Sequence, residues 1–196
     1  MWSLRETATT NSLRRRRDKA QENNVNDPIF AHFLERQIVE GLELAAQSDL
    51  LRLHVLPQGP PHFAAEFFCK GLVRGQDDVI REHEHWEVGI WFPPEDYLRR
   101  VDPFDVLRIF TPDSWHPNIS RELPLVCVGR LAPGTSLVDI LYQIYEVLTY
   151  QKYNPRENDS LNPLACAWAR ENQHRFPVDR RPLKRRKLTS LEVNPA

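Results

Sequence analysis

Phe30, Phe33, Leu34, Ile38, Val39 and Leu42 recur at helical spacing and predict one amphipathic helix running to about Ala46. Its start is marked locally: Asp27 is a good N-cap and Pro28 suits the first helical position. The period then changes to two. Leu51-Arg52-Leu53-His54-Val55-Leu56 alternates apolar and polar residues, Phe63 to Val73 is an apolar and aromatic run, Trp86 to Phe92 alternates again, and Val106 to Phe110 is a short fourth segment. Turn chemistry separates them: Gln58-Gly59-Pro60-Pro61, Gly75-Gln76-Asp77-Asp78, Pro93-Pro94 and Thr111-Pro112-Asp113. Four consecutive strands with short connections predict an antiparallel meander.

Beyond residue 127 the helical period returns. Ser136 and Asp139 form a capping box ahead of Leu137, Leu141, Ile144, Tyr145 and Leu148, which share one face. Asn154-Pro155 breaks that helix. Asn162-Pro163 repeats the cap-plus-proline signal, with Ala165, Trp168 and Ala169 on one face of a further helix. Strands and helices are segregated along the chain, which predicts an α+β fold with helices on one face or at the ends of the sheet.

Composition bounds the class. At 196 residues and 41% hydrophobic, the chain suits one domain with tails. No apolar run approaches the ~20 residues of a membrane span, and no apolar leader opens the chain, so neither a membrane span nor a secretory signal is expected. Cys69, Cys127 and Cys166 are odd in number and widely spaced, which points away from a disulfide framework and toward a reducing, cytoplasmic setting. No CxxC pair suggests structural zinc. The net charge is −1, but residues 14–19 carry +4 and residues 180–187 carry +6, so the remainder carries −11. The expected organisation is a flexible basic arm over 1–26, a domain over 27–178 and a basic disordered tail over 179–196. The basic run at 180–187 suits nucleic-acid binding or nuclear import, its plainer use is a solvated, disordered end, and the acidic body argues against a broad nucleic-acid face.

Candidate chemistry centres on His116-Pro117-Asn118 and Cys127. A thiolate can carry an acyl group, and a nearby amide can stabilise the oxyanion formed when that group is attacked. Taken singly, each residue has a plainer use: cysteine as a small core residue, asparagine after proline as a turn former, histidine as a loop scaffold. His83 and His85 alternate around Glu84, and two such ligands without a third are a weak metal signature, so no metal site is expected.

Over roughly residues 28–176 the chain resembles the ubiquitin-conjugating enzymes. Phe92-Pro93-Pro94-Glu95-Asp96-Tyr97 is similar to that family's FPxDYP stretch with one extra residue, and His116-Pro117-Asn118-Ile119 to its HPNI run. Cys127 stands where the family's catalytic cysteine belongs. Asn154-Pro155 and Asp159-Ser160-Leu161-Asn162 are similar to its NP and DPLN signature. The departures are a His116–Cys127 segment one residue longer than usual, Ala132-Pro133-Gly134-Thr135 in place of the usual Trp-x-Pro, and Ser160 where proline is usual. They mark a divergent branch, of the kind met in bacterial ubiquitin-like conjugation systems.

The resemblance implies the family fold: N-terminal helix, four-stranded antiparallel meander, active-site loop and C-terminal helices. It implies a thioester-forming transferase with Cys127 as nucleophile, Asn118 as oxyanion stabiliser or loop former, and Asp159 as a carboxylate orienting an incoming lysine. His116 and Pro117 would support the loop. No cofactor is implied. The implied partners are a ubiquitin-like modifier, an activating enzyme, a protein substrate and, as a further candidate, a ligase meeting the Pro93-Pro94 and Pro133-Gly134 loops. The alternative is a non-catalytic adaptor of the same fold that binds ubiquitin-like proteins or their partners.

Overall fold

A computed structural model describes residues 27–56, 62–94 and 96–185. The basic block at 14–19, the turn at 58–61, Glu95 and the tail beyond Arg185 lie outside the described residues.

Helix α1 spans Pro28–Ala46, and the Asp27 carboxylate accepts from the backbone N–H of Ile29 and Phe30. Its buried stripe is Phe30, Phe33, Leu34, Gln37, Gly41 and Leu44. This corrects the sequence reading: Val39 and Leu42 are exposed, and Gln37 takes a core position instead. The polar Gln37 is tolerated because both ends of its amide are used. Nε2 donates to Phe33 O at 3.1 Å, and Oε1 accepts from Leu137 N at 2.8 Å.

Strands β1 (Leu51–Leu56), β2 (His62–Phe67), β5 (Trp86–Trp91) and β6 (Leu107–Ile109) form one antiparallel sheet in that order. Between β2 and β5 the chain makes a separate hairpin, β3 (Gly71–Arg74) with β4 (Ile80–His83). The apolar run from Phe63 to Val73, expected as one strand, is therefore two, broken at Phe68–Lys70. Cys69 fills the break; it is fully buried and its carbonyl accepts from Trp86 Nε1 at 3.0 Å. The expected strand over Val106–Phe110 is shorter, since Asp102 caps a helical turn, α2 (Pro103–Val106), just before β6.

Register places Leu51, Leu53, Phe63, Ala65, Phe67, Trp86, Val88, Ile90, Leu107 and Ile109 on one face of the sheet. Helices α1 and α3 (Leu137–Leu148) complete the core, with Ile140, Leu141, Ile144 and Val147 wholly buried. Ser136 caps α3, its hydroxyl bonding both the Asp139 N–H and the Asp139 carboxylate. A smaller cluster of Leu72, Trp115, Tyr150, Ala165 and Ala169 lies beneath α4 (Pro163–Glu171), whose cap is the Asn162 side chain. The architecture is the α+β arrangement expected from the sequence.

Packing continues past the boundary expected at residue 178. Tyr145 OH donates to Arg181 O at 2.6 Å, Arg185 N donates to Gln47 O at 2.8 Å, and Leu183 is buried. The Asp179 side chain is 5% exposed and pairs with the Arg181 guanidinium, which holds its carboxyl below the ordinary range. Residues 179–185 thus belong to the folded body, because one buried leucine and the buried Asp179 carboxylate, paired with an exposed Arg181, anchor an otherwise basic stretch.

Candidate acyl-carrier site

The segment His116 to Val128 doubles back on itself. Ile119 and Val126 form an antiparallel bridge, Cys127 N donates to Asn118 O at 2.8 Å, and Ser120 N donates to Leu125 O at 3.0 Å. Val126 and Val128 are both buried, so each anchors the chain on either side of Cys127. The cysteine between them is partly exposed, as alternation of side chains along extended backbone requires. Cys69 and Cys166 are buried; burial raises the Cys69 thiol pKa well above its ordinary value, which suppresses its thiolate. Of the three cysteines, Cys127 alone is not buried.

Asn118 ties this loop together. Its Nδ2 donates to Cys127 O at 2.8 Å and its Oδ1 accepts from Asn154 N at 2.8 Å, with the residue 6% exposed. An amide has two N–H groups; the second makes no hydrogen bond to a described residue. His116 is buried, its Nδ1 accepts from Asn118 N at 3.0 Å, and its ring meets Tyr150 edge-on at 4.3 Å. Burial pushes its pKa down to about 3. The imidazole is therefore neutral across the working pH range and unsuited to acid–base duty; it shapes the turn. Pro117 is buried and its carbonyl accepts from Asn162 N at 3.2 Å.

Residues 152–162 lie against the loop like a strap. Lys152 Nζ donates to Val128 O at 2.6 Å, Asn154 N reaches Asn118, and Asn162 N reaches Pro117. Asp159 sits between the last two anchors, in a 3-10 turn over Glu157–Asp159 that Arg170 steadies through Glu157 at 2.6 Å. Its side chain is exposed, without a hydrogen bond or ion pair among the described residues. The structure thus joins His116, Pro117, Asn118 and Cys127 in one hydrogen-bonded unit, while Asp159 belongs to the strap and has no direct bond to Cys127.

No protein-family model matches the chain, and no curated protein matches it. Among solved structures, it is similar to the E2 domain of a Toxoplasma gondii ubiquitin conjugating enzyme. That likeness has 20% identity and a TM-score of 0.42, over 69% of this chain and 87% of that one.

Two contributors escaped the sequence reading. Lys152 carried no signal, because its role depends on a carbonyl 24 residues away. Gly129, directly after Val128, has φ +101, and a Cβ there would stand 3.2 Å from Lys152 Nζ. His83 and His85 turn to different neighbours: His83 meets Trp86 edge-on, and His85 Nε2 lies 2.8 Å from Glu66. No group of three or more metal-ligating side chains occurs among the described residues, and no described helix is long and apolar enough to cross a membrane. The loops at Pro93-Pro94 and Pro133-Gly134 adjoin, since Gly134 N donates to Tyr97 O at 3.2 Å and Tyr97 OH donates to Thr135 O at 2.6 Å.

Proposed function

We propose that the protein is a ubiquitin-conjugating-type transferase that carries a ubiquitin-like modifier as a thioester on Cys127. The observation that carries this reading is the placement of that thiol. It belongs to the one cysteine of the three that is not buried, and the Asn118 backbone and side chain both grip its peptide group.

The thiolate of Cys127 attacks the modifier's thioester on an activating enzyme. The new S–C bond forms as the old one breaks, and the activating enzyme's thiolate leaves. A thioester donor is already activated, so the exchange needs no strongly acidic thiol. A neutral lysine amine then attacks the Cys127 thioester, the C–N bond forms, the C–S bond breaks, and the amine proton passes to solvent or a nearby carboxylate. Asp159 is the candidate for orienting that amine, helped by its exposure and freedom from other partners. The unengaged Asn118 N–H is the candidate donor to the oxyanion; loss of such a donor costs about 3–4 kcal/mol in rate elsewhere. A modifier, an activating enzyme and a protein acceptor are the partners this chemistry needs, and a ligase at the adjoining proline loops is compatible with it.

The test uses ubiquitin bearing a chemically installed C-terminal thioester, which removes the need for the activating enzyme. The expected result is a covalent adduct that thiols reverse, lost in Cys127→Ala and kept in Cys69→Ala and Cys166→Ala. An adduct that survives Cys127→Ala contradicts the assignment.

A further inference from the structure

The positive charge of Lys152 is not explained by the bond it makes. Its Nζ donates to Val128 O at 2.6 Å, and Val128 directly follows Cys127. A neutral amide can donate to that carbonyl equally well. Lys152 is half-buried and pairs with no carboxylate among the described residues, while Lys70 is met by Glu82 at 3.0 Å. An ammonium has three N–H groups; the two not given to Val128 O make no hydrogen bond to a described residue. A partly buried cation held on a neutral carbonyl gives up hydration without gaining a counter-charge. Gly129 keeps its place open, since a Cβ there would stand 3.2 Å from Nζ and 3.6 Å from Cε. The surroundings do not cancel it. Arg121, Glu122, Arg130, Arg156, Glu157 and Asp159 are all exposed and carry three charges of each sign. Consecutive Cα atoms are ~3.8 Å apart, so a cation on Val128 O stands on the order of 8 Å from the Cys127 sulfur. That lies within the Debye length of ~8–10 Å at ordinary ionic strength.

We propose that Lys152 is a positioning residue that sets a positive charge beside Cys127, and that this charge stabilises the oxyanion formed as an acyl group passes onto or off the sulfur. In each passage a nucleophile adds to the acyl carbonyl and the carbonyl electron pair moves to oxygen. The C–S bond of the leaving thiolate breaks as that pair returns. Negative charge is thus present on oxygen only in mid-reaction, and a cation fixed nearby favours that state over the two ends. Asn118 offers the oxygen a directed N–H, whereas Lys152 adds a field that needs no contact. At ~8 Å and an effective dielectric of about 40–80, one unit charge alters such a rate about two- to six-fold. The oxyanion role rests on the transferase reading of Cys127; the charge beside the thiol does not.

The test compares alkylation of Cys127 by iodoacetate, an anion, and by iodoacetamide, its neutral counterpart, in the full-length protein at low salt. Rates are read on the Cys127 peptide by mass spectrometry. The thiolate fraction and the exposure of the sulfur enter both rates and cancel in their ratio, which leaves the local charge. Lys152→Gln keeps an N–H for Val128 O without the charge, Lys152→Met removes both, and Lys152→Arg keeps both. The iodoacetate-to-iodoacetamide ratio should fall about two- to six-fold in Lys152→Gln and Lys152→Met and hold in Lys152→Arg. Added salt should lower it in the native protein. With ubiquitin bearing a preformed C-terminal thioester, Lys152→Gln and Lys152→Met should load Cys127 more slowly by a like factor, and Lys152→Arg at close to the native rate. An unchanged ratio in Lys152→Gln and Lys152→Met overturns the inference whatever the loading shows. A lowered ratio with native loading rates overturns the oxyanion role. A native protein that fails to load while the ratio falls as expected sinks the transferase reading, and the oxyanion role with it.

Discussion

Replacing Asn118 by alanine removes one side chain and orphans two backbone groups. The Cys127 carbonyl loses its donor and the Asn154 N–H loses its acceptor, each now bonded at 2.8 Å around a residue only 6% exposed. Leaving two such groups unpaired costs about 2–5 kcal/mol in all. For a chain of this size that corresponds to a fall in Tm of about 5–15 °C. Asn118→Asp separates the two bonds. The introduced carboxyl still accepts from Asn154, but when ionised it faces the Cys127 carbonyl with oxygen against oxygen. When protonated it can donate there. Its folded pKa is therefore raised above the unfolded value, so its stabilising contact is present at low pH and lost as pH rises through the folded value. Thermal unfolding of the three proteins between pH 4 and pH 8 checks this. The deficit of Asn118→Asp relative to the native protein should shrink as pH falls, while that of Asn118→Ala stays nearly constant. A Tm for Asn118→Ala within about 1 °C of the native value would refute the strap seen here.

Native-state alkylation with iodoacetamide, read by mass spectrometry, should add one carbamidomethyl group, on Cys127, with Cys69 and Cys166 reacting only after unfolding. Asp179→Asn should lower stability at pH 7. Because Arg181 holds the native carboxyl below its ordinary range, the difference is complete above the unfolded pKa of about 3.9 and closes as pH falls through the folded value, which denaturant titrations at several pH values would show. Gly71→Ala should destabilise by overpacking, about 1–3 kcal/mol by urea unfolding, since its Cβ would stand 2.6 Å from the backbone carbonyl of Leu148.

Signals confined to a few neighbouring residues were legible in the sequence. The caps at Asp27, Ser136 and Asn162 bond as their side chains allow, and the alternating residues of β1 and β5 bury the apolar set. The break at Cys69 was not legible, because hydrophobicity continues through Phe67, Phe68 and Cys69 while the backbone changes partner. Gln37 was missed for the opposite reason: a polar residue enters the core when a helix terminus 100 residues away supplies its bond. The anchoring of 179–185 rests on Leu183 and Asp179 amid arginines and lysines, where composition reads as solvated tail. At the site, the sequence singled out His116, Asn118 and Cys127. It could not reveal that Asn154, Asn162 and Lys152 brace them, since those bonds link distant positions through backbone atoms.

The most direct measurement is an intact-mass and peptide map of the protein after reaction with ubiquitin, its activating enzyme and ATP, and with ubiquitin thioester in parallel. One added modifier, less water, is expected on the peptide containing Cys127. It should be released by thiol in the native protein and persist as a thiol-resistant ester in Cys127→Ser. A modifier attached at a different residue, or none from the preformed thioester while the Cys127 thiol remains open to alkylation, would contradict it.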